Sequence, residues 1–121
     1  MTPDSNKMIS HFAGKPETQR FFDAIAAYTT ALGPVSFETR AQASFAVKRK
    51  FLWLWAYEKT ADGVLYVNLR LDRHLEDSRF HNVTQVSANR WNYHVVVRSE
   101  ATATGDWLRG TIRQAYEFAR S

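Results

Sequence analysis

The sequence predicts an α+β domain: an antiparallel sheet of about five strands with an N-terminal and a C-terminal helix packed on one face. Two observations carry this. Three runs, Phe51–Tyr57, Val64–Leu71 and Trp91–Arg98, alternate their chemistry with the period of two that belongs to a β-strand. Two flanking segments, Glu17–Leu32 and Asp106–Arg120, instead space their large apolar residues three and four apart, the repeat of a helix with one buried stripe.

Taken in order, residues 1–10 show no sustained periodicity and are expected to form a flexible arm, leaving 11–121 as a single domain. Pro16 suits the first turn of a helix, and Phe21, Ile25, Tyr28 and Leu32 recur on one face until Gly33-Pro34 stops the run. A strand from Val35 to about Arg40 and a second over Ala43–Val47 precede the basic cluster Lys48-Arg49-Lys50. The aromatic run follows, and Asp62-Gly63 is the residue pair of a tight hairpin into the Val64 run. In that run Leu65, Val67, Leu69 and Leu71 are expected to face the core with Tyr93, Val95 and Val97. Tyr66, Asn68, Arg70, Asn92, His94 and Arg98 then face the other way. Residues 72–90 read as a long polar connection anchored by Leu75, Phe80 and Val83. Thr104-Gly105-Asp106 supplies cap-type residues for the closing helix, whose stripe is Leu108, Ile112, Ala115 and Ala119 with Trp107 and Tyr116 at its margins.

Composition narrows the function classes. The 121 residues are 45% hydrophobic and 14% aromatic, enough for a self-sufficient core, and no apolar stretch reaches the ~18 residues of a membrane span. The start lacks a secretory pattern, so a cytoplasmic protein with no membrane partner is expected. With no cysteine, thiol catalysis and cysteine-ligated zinc drop out. The 16 Lys and Arg against 12 Asp and Glu permit an anionic partner without demanding one.

Enzyme signatures are wanting. His11, His74, His81 and His94 are scattered, and Arg73 and Arg79 interleave the acidic group Asp72, Glu76 and Asp77, so no metal site is expected. The serines sit in no nucleophile-elbow context, and no glycine-rich phosphate loop occurs. Neither a catalytic residue nor a cofactor is assigned.

The segments His11-Phe-Ala-Gly-Lys-Pro16, Ala31-Leu-Gly-Pro-Val35, Phe45 to Phe51, Ser78-Arg-Phe80, Tyr93-His94 and Trp107-Leu108 with Ala115-Tyr116 together resemble one bacterial family. It is catalogued as the domain of unknown function fifty-six fifty-five. The resemblance implies an α+β domain related to frataxin-like and MmcQ/YjbR-like folds, some of whose relatives are labelled predicted transport proteins or are fused to nucleases. It implies no catalytic residue. It does imply a basic and a polar position just before the Phe45 strand, here Arg40 and Gln42.

Two readings of function follow. In the first the protein is a non-enzymatic binding module for an anionic or aromatic small molecule, or for a protein partner. Tyr66, Asn68, Arg70, His94 and Arg98 would make the contacts: the Arg70 fork on an anion, Asn68 to orient it, His94 to donate, accept or titrate. The bland counterpart is a solvated outer face. In the alternative the chain is a nucleic-acid accessory module, with Arg40, Lys48, Arg49 and Lys50 on phosphates and exposed Trp residues on bases. Core packing is the ordinary use of Phe51, Trp53, Trp55 and Tyr57. Were their face shared with Tyr66 and Arg70, it would form a stacking platform beside cations. An open strand edge leaves a homodimer available.

Overall fold

The computed structural model describes residue 8 and residues 10–121. Strands β1 (Ser36–Thr39), β2 (Ala43–Ala46), β3 (Lys50–Trp55), β4 (Leu65–Leu71), β5 (Asn82–Ser87) and β6 (Arg90–Val97) form one six-stranded sheet in the order β1-β2-β3-β4-β6-β5. Every neighbouring pair is antiparallel. Helices α1 (Pro16–Ala31), α2 (Glu100–Thr104) and α3 (Asp106–Arg120) complete the order, after a helical turn at residues 10–12. Among the described residues no helix is long and apolar enough to cross a membrane. Of the arm expected over residues 1–10, residues 1–7 and 9 lie outside the described residues, while Met8 and Ser10 are helical and Met8 packs on the core.

The expected register is the observed one. Leu65, Val67, Leu69 and Leu71 are fully buried, and β6 brings Val97, Val95 and Tyr93 opposite the first three of them. Leu52 and Leu54 of β3 pair with Leu69 and Val67, extending the apolar layer. Onto it α1 turns Phe21, Phe22 and Ile25, and α3 turns Leu108, Ile112, Ala115 and Ala119. Thr29 of α1 joins this buried stripe because its hydroxyl donates to the Ile25 carbonyl at 2.8 Å, so no polar group is left unpaired. Gly33 lets the chain pass from α1 to β1 against Tyr116: at φ 153° its added Cβ would lie 2.3 Å from the Tyr116 hydroxyl.

Four details depart from expectation, each for a local reason. The sheet has a sixth strand because Asn82–Ser87, largely exposed with only Val83 turned to the core, lies at the edge, where a backbone ladder suffices without a buried side-chain row. Phe51 leaves the aromatic face because the ladder between β2 and β3 slips at Phe45/Ala46, and its ring meets Tyr116 of α3 at 5.8 Å. β3 and β4 do pair, but residues 56–64 join them rather than a tight turn at Asp62-Gly63. α2 is unforeseen; the Ser99 hydroxyl caps it by accepting from the Thr102 N–H at 3.2 Å.

Asp62 has another task. α1 begins at Pro16 with no side-chain cap of its own, and Asp62 Oδ1 accepts from the N–H groups of Glu17 at 2.9 Å and Thr18 at 3.0 Å. A carboxylate from the β3–β4 connection thus satisfies the first donors of the helix and complements its dipole. The Thr18 hydroxyl in turn accepts from Gly63 N–H at 2.9 Å, and Gly63 takes φ 89° to turn there. The 72–81 connection is fastened from below. The buried Tyr93 hydroxyl accepts from Leu75 N–H and donates to the Arg73 carbonyl, both at 2.6 Å. Farther along, Arg79 lies over the Trp107 ring, and its hydrogen bonds to Asp77 hold that carboxyl down to about 2.

Candidate functional site

With helices on one face, the other face of β3, β4 and β6 is open, and alternation delivers to it the complement of the core. One transverse row crosses the whole sheet: Glu38, Ser44, Trp53, Asn68, His94 and Asn82 are successive cross-strand partners from β1 to β5. The flanking rows place Trp55 against Tyr66 and Arg70 against Asn92.

The rings of three strands meet here. Trp55 and Tyr66 lie 5.8 Å apart at 28°, Tyr66 and His94 5.9 Å apart at 15°, and Trp55 and His94 5.4 Å apart. Tyr57 and His81 border this triad, each 5.4 Å from a member of it. Of the aromatic run, therefore, Trp53, Trp55 and Tyr57 go to the open side, and only Phe51 goes to the core that is the ordinary place of all four. The default failed because hydrophobicity does not tell which face of a central strand the helices cover.

Arg70 lies across this face. Its guanidinium carbon is 5.0 Å from the Trp53 ring centre, and its Nε donates to Asn92 Oδ1 at 3.0 Å. Among the described residues no carboxylate pairs with it. Burial, with Arg90 nearby, holds its pKa below the usual value for a guanidinium. Burial also lowers His94, and the neighbouring His81 adds to this, while a backbone contact at Val67 works the other way. His94 is thus a neutral, ring-stacked imidazole at neutral pH.

Of the residues expected to bind, Tyr66, Asn68, Arg70 and His94 share this patch. Arg98 lies beyond the end of β6, exposed, past Val96 and at the opposite end of the strand from Asn92. The four basic residues divide. Lys48 and Arg49 belong to the end of α3: Lys48 N–H donates to the Ala119 carbonyl at 3.1 Å, and Arg49 reaches the Ser121 carbonyl and covers the Phe118 ring at 4.7 Å. Cations there complement the helix C-terminus. Arg40 and Lys50 lie on the β1 side of the sheet, both paired with Glu38, whose pKa they lower, Arg40 first through its hydrogen bond.

Between them and the tryptophans the surface becomes concave. A cleft of about 380 Å³ is lined by Arg40, Gln42, Ser44 and Lys50 together with Trp53, Trp55, His11 and Tyr57. Two ring nitrogens of these residues, His11 Nδ1 and Trp55 Nε1, are buried without a hydrogen-bond partner among the described residues. The rim is fixed by Lys15, a buried lysine whose ammonium donates to the carbonyls of His11 and Tyr57 at 2.6 Å and of Glu58 at 3.1 Å. Sequence reasoning missed Lys15 and the cleft, because residues 11, 40–44 and 50–57 converge only in three dimensions. The one early signal was Arg40 and Gln42, singled out by family resemblance. Among the described residues no group of three or more His, Cys, Asp or Glu is placed to hold a metal ion.

No curated protein and no solved structure matches the chain. A family model does, over residues 8–119, nearly the whole of the folded chain described above, and by it the protein belongs to the family described as Domain of unknown function (DUF5655).

Proposed function

We propose that the protein is a non-enzymatic binding module whose open sheet face takes a planar, anionic small molecule. The Trp55, Tyr66 and His94 triad offers ring edges and faces for stacking, Asn68 lies in the row beside His94, and Arg70 receives the negative charge. The observation that carries this reading is the state of Arg70. Its Nε is engaged by Asn92 and its plane is set over Trp53, yet its terminal nitrogens have no acceptor among the described residues. An oriented, partly buried guanidinium without a carboxylate is a preorganised anion receptor.

Thermal-shift titration with aromatic carboxylates and their uncharged amides tests it. The anions should raise the melting temperature by several degrees at about 100 times their Kd, worth ~2.7 kcal/mol, and the amides should not. Arg70→Ala should abolish the shift and His94→Ala should reduce it. Equal shifts for acid and amide, or an undiminished shift in Arg70→Ala, would remove the basis of the proposal.

A further inference from the structure

We infer that the anion taken by the open face is a dianionic phosphate monoester, held between the Arg70 and Arg90 side chains; this rests on the reading above, in which Arg70 receives the charge. The second cation and the class of ligand are new.

Strand register brings the two arginines together. Arg70 of β4 lies opposite Asn92 of β6, and Arg90 stands two residues before Asn92, so alternation puts it on the same face at the diagonal position. Its positive charge is near enough to help lower the Arg70 pKa, behind burial. Among the described residues no carboxylate forms an ion pair with either guanidinium. Asp72, the next acid along the chain from Arg70, turns instead to Arg73 at 2.8 Å and lines a groove with Gly110 and Gln114 of α3, on the helix side. Two like charges on one patch repel each other in the free protein, and a ligand with two negative charges relieves that repulsion.

The donors around Arg70 select the shape of the anion. One arginine fork suffices for a planar carboxylate. Here the row continues from Arg70 through Asn92 to Thr84 of β5. Asn92 gives its carbonyl oxygen to Arg70 Nε at 3.0 Å, which leaves its amide nitrogen as a donor, and Thr84 adds a hydroxyl. With Arg90 these donors approach from several directions, a set matched by the three acceptor oxygens and the charge of about −1.5 to −2 that a phosphate monoester carries at neutral pH. The rings decide what the ester carries. Trp53 lies under Arg70 and shares a row with Asn68 and His94, and that row is about 7 Å along the strands from the row of Arg70 and Asn92. An aromatic phosphate ester therefore sets its charged end on the arginines while its ring lies towards His94.

Calorimetric titrations with phenyl phosphate, phenyl sulfate and benzoate, in a phosphate-free buffer slightly above neutral pH, test this. Phenyl phosphate should bind about ten-fold tighter than benzoate, and the sulfate, of the same shape but singly charged, should fall close to benzoate. Arg90→Gln keeps a polar side chain at an exposed position and removes the charge. It should bring phenyl phosphate to within about two-fold of benzoate and leave benzoate unchanged, whereas Arg70→Ala should lose all three. Benzoate or phenyl sulfate that matches phenyl phosphate would overturn the inference, as would an advantage for the phosphate that survives in Arg90→Gln. In each of those cases benzoate binding that still depends on Arg70 leaves the earlier proposal standing. If none of the three compounds binds, both fall.

Discussion

The two faces of β4 are made by alternate residues of a single seven-residue segment, yet they do different work. Leu65, Val67, Leu69 and Leu71 have no exposed surface, while Tyr66, Asn68 and Arg70 between them are half-buried against rings and amides of the neighbouring strands. The first set gains from leaving water, a non-directional force that rewards volume and tolerates chemistry poorly. The second set is held by ring contacts and one hydrogen bond, which fix orientation at little cost in stability. A rigid, aliphatic side therefore serves as the base on which a chemically diverse side is displayed.

This contrast breaks most readily from the inside. Leu69→Ala should destabilise the fold by about 2–5 kcal/mol through lost burial and a residual cavity, seen as a lower denaturation midpoint at unchanged slope. Next in size is Lys15→Ala, on the order of 2–3 kcal/mol, because three carbonyls lose their buried donor; hydrogen exchange should rise at residues 56–64 before the rest of the sheet. Tyr93→Phe removes one hydroxyl that bonds at both ends to the 72–81 connection and should cost about 1–2 kcal/mol while leaving the sheet intact in far-ultraviolet circular dichroism. On the open face Arg70→Ala should change stability by no more than about 1 kcal/mol, so any larger loss would erase the distinction between the faces.

The smallest effect concerns pH. His94 is held below its ordinary value of 6.5, first by burial and then by His81, so below pH 6.5 the unfolded chain binds more protons than the folded one. Stability should fall as pH drops from about 6.5 towards the lowered folded value, and His94→Gln should flatten that slope in urea melts at stepped pH.

Why some of this was readable from sequence and some was not has a physical basis. Period-two alternation is a local property, so the inner row of β4 and β6, and with it the shared side of Asn68 and His94, follows directly from residue order. Strand β5 escapes the same rule because a polar edge strand buries almost nothing and so leaves no alternation to detect. Phe51 was misplaced because one slip in the β2–β3 ladder reverses the parity of everything beyond it. Asp62 looked like part of a turn; its partner donors are 44 and 45 residues away at the head of α1, a distance no window of sequence spans. The cleft is hidden for the same reason, since its walls come from three separate stretches.

The slip between Gln85 and Ser87 near the end of β5 carries a last consequence. Asn82–Ser87 is the outermost strand on its side and bears no lysine, glutamate or proline, the usual guards against adhesion between molecules. The kink takes over that protective duty by shortening the straight run on which a stranger's backbone could zip. Straightening that step would lengthen the flat edge offered to a second backbone, while every residue of the inner row of β4 and β6 kept its place.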